Sequence, residues 1–252
     1  MKVGNPADPP PEARTATINI GITGKRDLQG HEHALRPLLA SVFRALADAC
    51  AGSTPRLITG LAEGADLVAT EVALNETNWP IEGMLAFSAT GFLRGFDQVW
   101  RQRYDAVVAS PRCRLATMPP LSPIAQDSGS RGPEYEQFGL WLTAQSDILI
   151  AIMPAEEKPG RLGGTARVLR HRIEGAPDPA ALDVLARSTV PLESLLPRQR
   201  SACVVDLPAA GSSNMPRLLR RDASGQSPLA TSAKALRAAF PDAGWLPPGT
   251  QY

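Results

Sequence analysis

Little in this sequence could staple or metallate a fold. Its three cysteines, Cys50, Cys113 and Cys203, lie far apart and form no Cys-x-x-Cys pair. That argues against a disulfide framework and a cysteine-rich zinc site, and a reducing, cytoplasmic setting is expected. His31 and His33 flank Glu32 where a helix is expected to begin. Two histidines so placed are read as solvated, and no metal is expected. No apolar run approaches the roughly 20 residues that span a bilayer. The polar, Pro-rich start from Met1 to Glu12 lacks the character of a signal peptide, so no membrane partner is expected. The net charge is only +1, so nothing in the balance calls for nucleic acid, and any basic site must be local. The Walker pattern, Gly-x-Ser-x-Gly and His-Glu-x-x-His are all missing.

What is present is an alternation of short apolar runs with helical periodicity, in a 252-residue chain of a size for one α/β domain with extensions. Ile18, Ile20 and Ile22 alternate with Asn19 and Gly21 as a first strand. Leu35, Leu38, Leu39, Val42, Phe43 and Leu46 recur at helical spacing. Arg56–Thr59 reads as a second strand, followed by a helix carrying Val68, Ala69, Val72 and Ala73 on one face. Strands are also expected at Gly83–Phe87, Arg114–Met118, Asp147–Ile152 and Ala202–Leu207, and helices at Phe92–Ala109, Glu134–Gln145 and Thr165–Ile173. Asp147–Ile152 is apolar on both faces, as a central parallel strand is. Strands alternating with helices imply a doubly wound, mainly parallel α/β sheet with helices on both faces. Residues 1–14 are expected to be a disordered leader, 15–210 the domain, and 211–252 a Pro/Gly-rich extension with a short helix near Thr231–Phe240. Pro208–Ser227 reads as loop.

Three segments fall where such sheets bind ligands, outside the carboxyl ends of their strands. In the first, Gly24 permits close backbone approach to an anion, Thr23 offers a hydroxyl, and Lys25 and Arg26 supply charge. In the second, Gly60-Leu61-Ala62-Glu63-Gly64 turns a strand into a helix whose N-terminus faces the site, with Glu63 and Asp66 as first-turn acids or as acceptors for a ribose hydroxyl. In the third, Gly163 and Gly164 again allow close approach, and Thr165 can cap its helix or touch a phosphate. Glu134 and Glu136 open a helix ahead of the central strand and are either a charged first turn or ligand-edge groups. Trp100, Arg103 and Tyr104 are read as a half-buried helix face, with a stacking wall as the alternative. His171 lies in a basic helix and is given no special role.

Ile22-Thr23-Gly24-Lys25-Arg26-Asp27-Leu28, Thr59-Gly60-Leu61-Ala62-Glu63-Gly64-Ala65-Asp66, Tyr135-Glu136 and the stretch from Ser146-Asp147 to Gly163-Gly164-Thr165-Ala166 occur in that order. This set resembles the SLOG family of Rossmann-like domains, related to the Lonely Guy enzymes and the DNA-processing protein A mediators, over roughly Ile18 to Ile173. The resemblance implies a pocket for a nucleotide-derived ligand, such as ADP-ribose or a cyclic ADP-ribose-like molecule. It also implies a sensing role in bacterial antiviral or conflict systems, acting through a separate effector protein, with self-association into a homo-oligomer compatible with it. The enzymatic relatives carry paired glutamates after their Gly-Gly-x-Gly-Thr turn and an arginine on the preceding helix. Here Ala166, Arg167 and Val168 follow Thr165, and the helix reads Glu136-Gln137-Phe138. A binding module without catalytic residues or cofactor is therefore the expectation. A nucleotide N-glycosidic hydrolase is the alternative, and single-stranded DNA binding is a third reading, which the charge balance argues against.

Overall fold

The computed structural model of the chain describes residues 16–28, 30–121, 131–154, 160–175, 177–196, 201–206, 217–220, 227–228, 232–241 and 243. The strands are β1 (Thr17–Gly24), β2 (Thr54–Thr59), β3 (Ile81–Leu85), β4 (Cys113–Thr117), β5 (Ile148–Met153), β6 (Ser201–Asp206), β7 (Arg217–Arg220) and β8 (Ser227–Pro228). The helices are α1 (Glu32–Ala49), α2 (Ala65–Glu76), α3 (Ala89–Phe92), α4 (Gln98–Val108), α5 (Gly132–Gln145), α6 (Thr165–Glu174), α7 (Pro179–Arg187) and α8 (Ala233–Ala239). The strands form one sheet in the order β4-β3-β2-β1-β5-β6-β7-β8. The first six in that order are parallel, and β7 and β8 are added antiparallel at the edge. This is a Rossmann-like doubly wound sheet, as the alternation of apolar runs implies.

Alternation within each strand sorts the core into two layers. Ile18, Ile20 and Ile22 of β1, with Ile148, Ile150 and Ile152 of β5, face α1 and α2. Leu149, Ala151 and Met153 face the other way, toward Phe138 and Leu142 of α5 and Val168 and Leu169 of α6. All six residues of β5 are buried, because both faces of a central parallel strand are covered. β4 closes one edge and is largely exposed.

The differences from expectation have local causes. The single helix expected over Phe92–Ala109 is broken into α3, a 3-10 turn at Leu93–Gly95, and α4. Asp97 supplies the break, since its side chain accepts from the Trp100 amide at 2.8 Å and caps α4. β3 begins two residues before the expected Gly83 and ends at Leu85. Beyond Gly175 the described residues include α7, β6, β7, β8 and α8. Asp178 caps α7, which the sequence reading did not contain. β7 and β8 lie inside the expected loop Pro208–Ser227 and at its end. After 210 the structure describes β7, β8, α8 and its close neighbours. Leu236 and Ala239 of α8, Phe240 at its end and the nearby Ala243 are buried in the same layer as Leu35 and Leu39 of α1. The expected leader 1–14 lies outside the described residues.

Candidate functional site

From β1 the chain proceeds to β2, β3 and β4 on one side of the sheet, whereas β5 and β6 lie on the other. The order therefore reverses between β1 and β5, and at such a point the loops leaving neighbouring strands diverge and open a crevice at their carboxyl ends. A cavity of about 540 Å³ occupies that place.

The first turn is pinned on both sides. The Lys25 amide donates to the Ile152 carbonyl of β5 at 3.0 Å, and the Lys25 carbonyl accepts from the Ala65 amide of α2 at 2.9 Å. Thr23, Gly24, Lys25 and Arg26 line the cavity. Arg26 is exposed, bonds the Tyr135 hydroxyl, and places its guanidinium 5.0 Å from the centre of that ring.

In the second turn Leu61 takes a left-handed backbone with φ of 53°. That conformation is rare outside glycine and is held here from below. The Leu61 amide donates to Thr59 Oγ1 at 3.2 Å, and its fully buried side chain fills the space left by Gly83. Gly60, Ala62 and Asp66 line the cavity, while Leu61, Glu63 and Gly64 are not among its lining residues. Burial pushes the Glu63 carboxyl up, opposed by Arg26 and reinforced by Asp97.

Asp66 is the unusual group. It is 5% exposed, and burial pushes it up to about 7 although the amides of Ala62, Gly24 and Gly60 and the charge of Arg26 favour its ionised form. Its Oδ1 has no hydrogen-bonding partner among the described residues.

The third turn hangs on Glu136. This buried carboxylate accepts from the Gly163 amide at 2.6 Å and from Arg167 Nε at 2.7 Å, and contacts His171 Nε2 at 2.6 Å. Burial alone would raise Glu136, but those hydrogen bonds outweigh it and hold it below the usual carboxylate range. Arg167 continues to Asp178 at 2.5 Å, which also bonds Arg170. Burial opposes the ionised form of Asp178, yet the Ala181 amide and the two arginines bring it down to about 2. Gly163, Gly164 and Thr165 line the cavity, so three of the three expected segments reach it. Among the described residues, the amides of Thr165 and Ala166 at the start of α6 have no hydrogen-bond acceptor.

Glu134 does not line the cavity and pairs with Arg131 at 3.2 Å. The wall that sequence reading missed is aromatic and cationic: Phe92, Tyr135, Phe138 and Arg161. Tyr135 and Phe138, three apart on α5, carried a helical-face signal beside Glu134 that could have identified them. Trp100 and Arg103 stand elsewhere. Arg103 covers the Trp100 ring at 4.1 Å and pairs with Glu32 and Glu71, tying α1, α2 and α4 together. Among the described residues no cluster of His, Cys, Asp and Glu is fit to hold a metal. No helix among them is long and apolar enough to cross a membrane. His171, assigned no role from sequence, is buried in the Glu136 network.

No protein-family model and no curated protein matches the chain.

Proposed function

We propose that the crevice between β1 and β5 binds a phosphorylated, nucleotide-type ligand and that the protein senses this ligand without transforming it. The observation that carries the reading is the convergence of the α6 N-terminus, Lys25, Arg26 and an aromatic wall on one cavity of about 540 Å³. Unpaired amides at a helix start and two cations favour a phosphate, and aromatic rings favour a base. The volume lies within the range of about 300–1,000 Å³ common for small-molecule sites. The noncatalytic part of the reading rests on Glu136, whose bonds to Gly163, Arg167 and His171 make it a support of the turn. A sensor coupled to a separate effector protein is the setting that suits such a module, and ADP-ribose and cyclic ADP-ribose-like molecules are the ligands to try first.

A thermal-shift panel of AMP, CMP, NAD, ADP-ribose and cyclic ADP-ribose tests this. A ligand at roughly 100 times its dissociation constant adds about 2.7 kcal/mol of stability. Gly164→Val is the control. Gly164 has an ordinary φ of −75°, and a Cβ there meets the Arg161 carbonyl at 3.2 Å and the Arg161 Cβ at 4.0 Å, a contact relieved by a shift of a few tenths of an ångström, so the variant is expected to fold and to obstruct the ligand, with its thermal stability measured beside its binding. Equal shifts for parent and variant would overturn the reading.

One observation favours a second reading. Asp66 titrates near neutrality inside the cavity, as a general acid or base does. Chromatography after incubation with AMP, CMP or NAD is expected to show no released base. Release that disappears in Asp66→Asn would make the protein an N-glycosidic hydrolase.

A further inference from the structure

We infer that Tyr135 is the positioning residue of the site: its hydroxyl holds the Arg26 guanidinium at the mouth of the cavity, and the two side chains together clamp the ligand's anion. The inference rests on the phosphate-binding reading of the same cavity and adds which residue orients its exposed cation.

Arg26 is exposed, yet it is tied down. Its Nη2 donates to the Tyr135 hydroxyl oxygen, and its guanidinium carbon lies 5.0 Å from the centre of that ring. Both residues line the cavity. Among the described residues Arg26 makes no ion pair. The arginines that join elements elsewhere end on carboxylates, Arg103 on Glu32 and Glu71, and Arg167 on Glu136 and Asp178. Glu63 is near enough for the Arg26 charge to oppose the rise that burial gives its carboxyl, and still the guanidinium goes to the neutral phenol. A hydroxyl fixes such a side chain without cancelling its charge. The remaining N–H donors of the fork stay open to a ligand.

Tyr135 is itself a fixed post. It stands in the first turn of α5, and its amide donates to the Arg131 carbonyl at 3.2 Å. Its ring meets Phe87 edge-on, with centres 5.3 Å apart. Its Cβ fills the space that a side chain at Gly163 would need. The next residue, Glu136, accepts from the Gly163 amide. Consecutive residues of one helical turn thus hold both flanks of the crevice, Tyr135 the cation of the first turn and Glu136 the backbone of the third. The phenol accepts from Arg26, so its own proton is left to give, and no acceptor for it stands among the described residues. A phenol polarised by a bound guanidinium is a stronger donor, and an anion beside the pair takes a bond from each.

Calorimetric titration with inorganic pyrophosphate and AMP tests this in four forms of the full chain: the parent, Tyr135→Phe, Arg26→Ala and the double variant. Tyr135→Phe keeps the ring and its packing, so its melting temperature is expected to match the parent's. It is expected to weaken both anions by about tenfold, and Arg26→Ala by about tenfold or more. On the Arg26→Ala background the same tyrosine change is expected to cost less than about threefold, because the phenol then has no guanidinium to hold and a weaker proton to give. A residue that merely shaped the wall would cost the same on both backgrounds, and that result would overturn the clamp. If Tyr135→Phe binds both anions as the parent does, the inference falls while the phosphate reading stands. If neither anion binds the parent, the phosphate reading fails and this inference with it.

Discussion

At Gly24, Gly64 and Gly163 a Cβ would lie 2.2 Å from the Ala65 Cβ, 2.1 Å from the Arg26 carbonyl oxygen and 2.2 Å from the Tyr135 Cβ. These glycines are demanded by the approach of one piece of the protein to another, and Gly64 and Gly163 also have positive φ. Of the five glycines expected at these turns, Gly60 faces the Phe138 ring at 3.0 Å, and Gly164 has the loosest Cβ direction, 3.2 Å from the Arg161 carbonyl oxygen. A sequence shows that a side chain is missing without showing what occupies its place, so the glycine positions were legible and their reason was not. Asp66 was legible as a first-turn acid, but its burial follows from the packing of Phe138 and the β1 turn around it. That burial makes a prediction about stability. Asp66 takes up its proton near 7 in the fold and near 3.8 when unperturbed. The folded state thus binds more protons between those values, and stability falls as pH rises from the lower to the upper one. The full cost above the upper value approaches about 4 kcal/mol. Asp66→Asn is therefore expected to be more stable than the parent in urea at about pH 8, with the gain shrinking toward about pH 4. A gain independent of pH would contradict the assignment.

At the scale of elements, β1, α1, β2, α2 and α6 were legible because each pairs an apolar period with a glycine near one end, and β5 because its apolar run is unbroken. α7 and β7 were not. α7 is nine residues and needs its Asp178 cap, and β7 is four residues with Leu218 and Leu219 adjacent, so neither shows a period. What fastens the later elements together is Arg172, a residue of α6 that the sequence reading did not single out. It is fully buried, and its guanidinium donates to the carbonyls of Thr143 at 2.8 Å, Ser146 at 2.6 Å, Asp147 at 2.8 Å and Ser201 at 3.0 Å. One side chain of α6 thereby closes the end of α5 and holds the starts of β5 and β6. Arg172→Met keeps much of the length and removes every donor. Stranding several buried carbonyls is expected to cost about 3–5 kcal/mol, read as a lower urea midpoint with unchanged slope. A loss below about 1 kcal/mol would mean that water replaces the guanidinium. Glu136 has the corresponding role at the other end of α6. Glu136→Gln is expected to weaken ligand binding although the residue does not line the cavity, because the Gly163 amide and Arg167 lose their common charged acceptor. Unchanged affinity in a folded Glu136→Gln variant would remove that role.

For the molecule as a whole, the order of the sheet decides where the site is. Three turns separated by up to about 140 residues in sequence meet because β1 lies between β2 and β5, with Ile22 in register with Thr59 on one side and Ile150 on the other. That meeting was readable from the alternation of strands and helices. The Tyr135 and Phe138 part of the aromatic wall depends on how α5 is rotated against β5, which a linear pattern specifies only loosely. The central claim is that these turns form one ligand pocket. Mapping amide chemical shifts of isotopically labelled protein during titration with ADP-ribose tests it most directly. The saturable perturbations are expected to cluster at Thr23–Arg26, Gly60–Asp66 and Gly163–Ala166, with the Thr165 and Ala166 amides moving most because they take the phosphate. Saturable perturbations confined to other surfaces, or none at millimolar ligand, would contradict the claim.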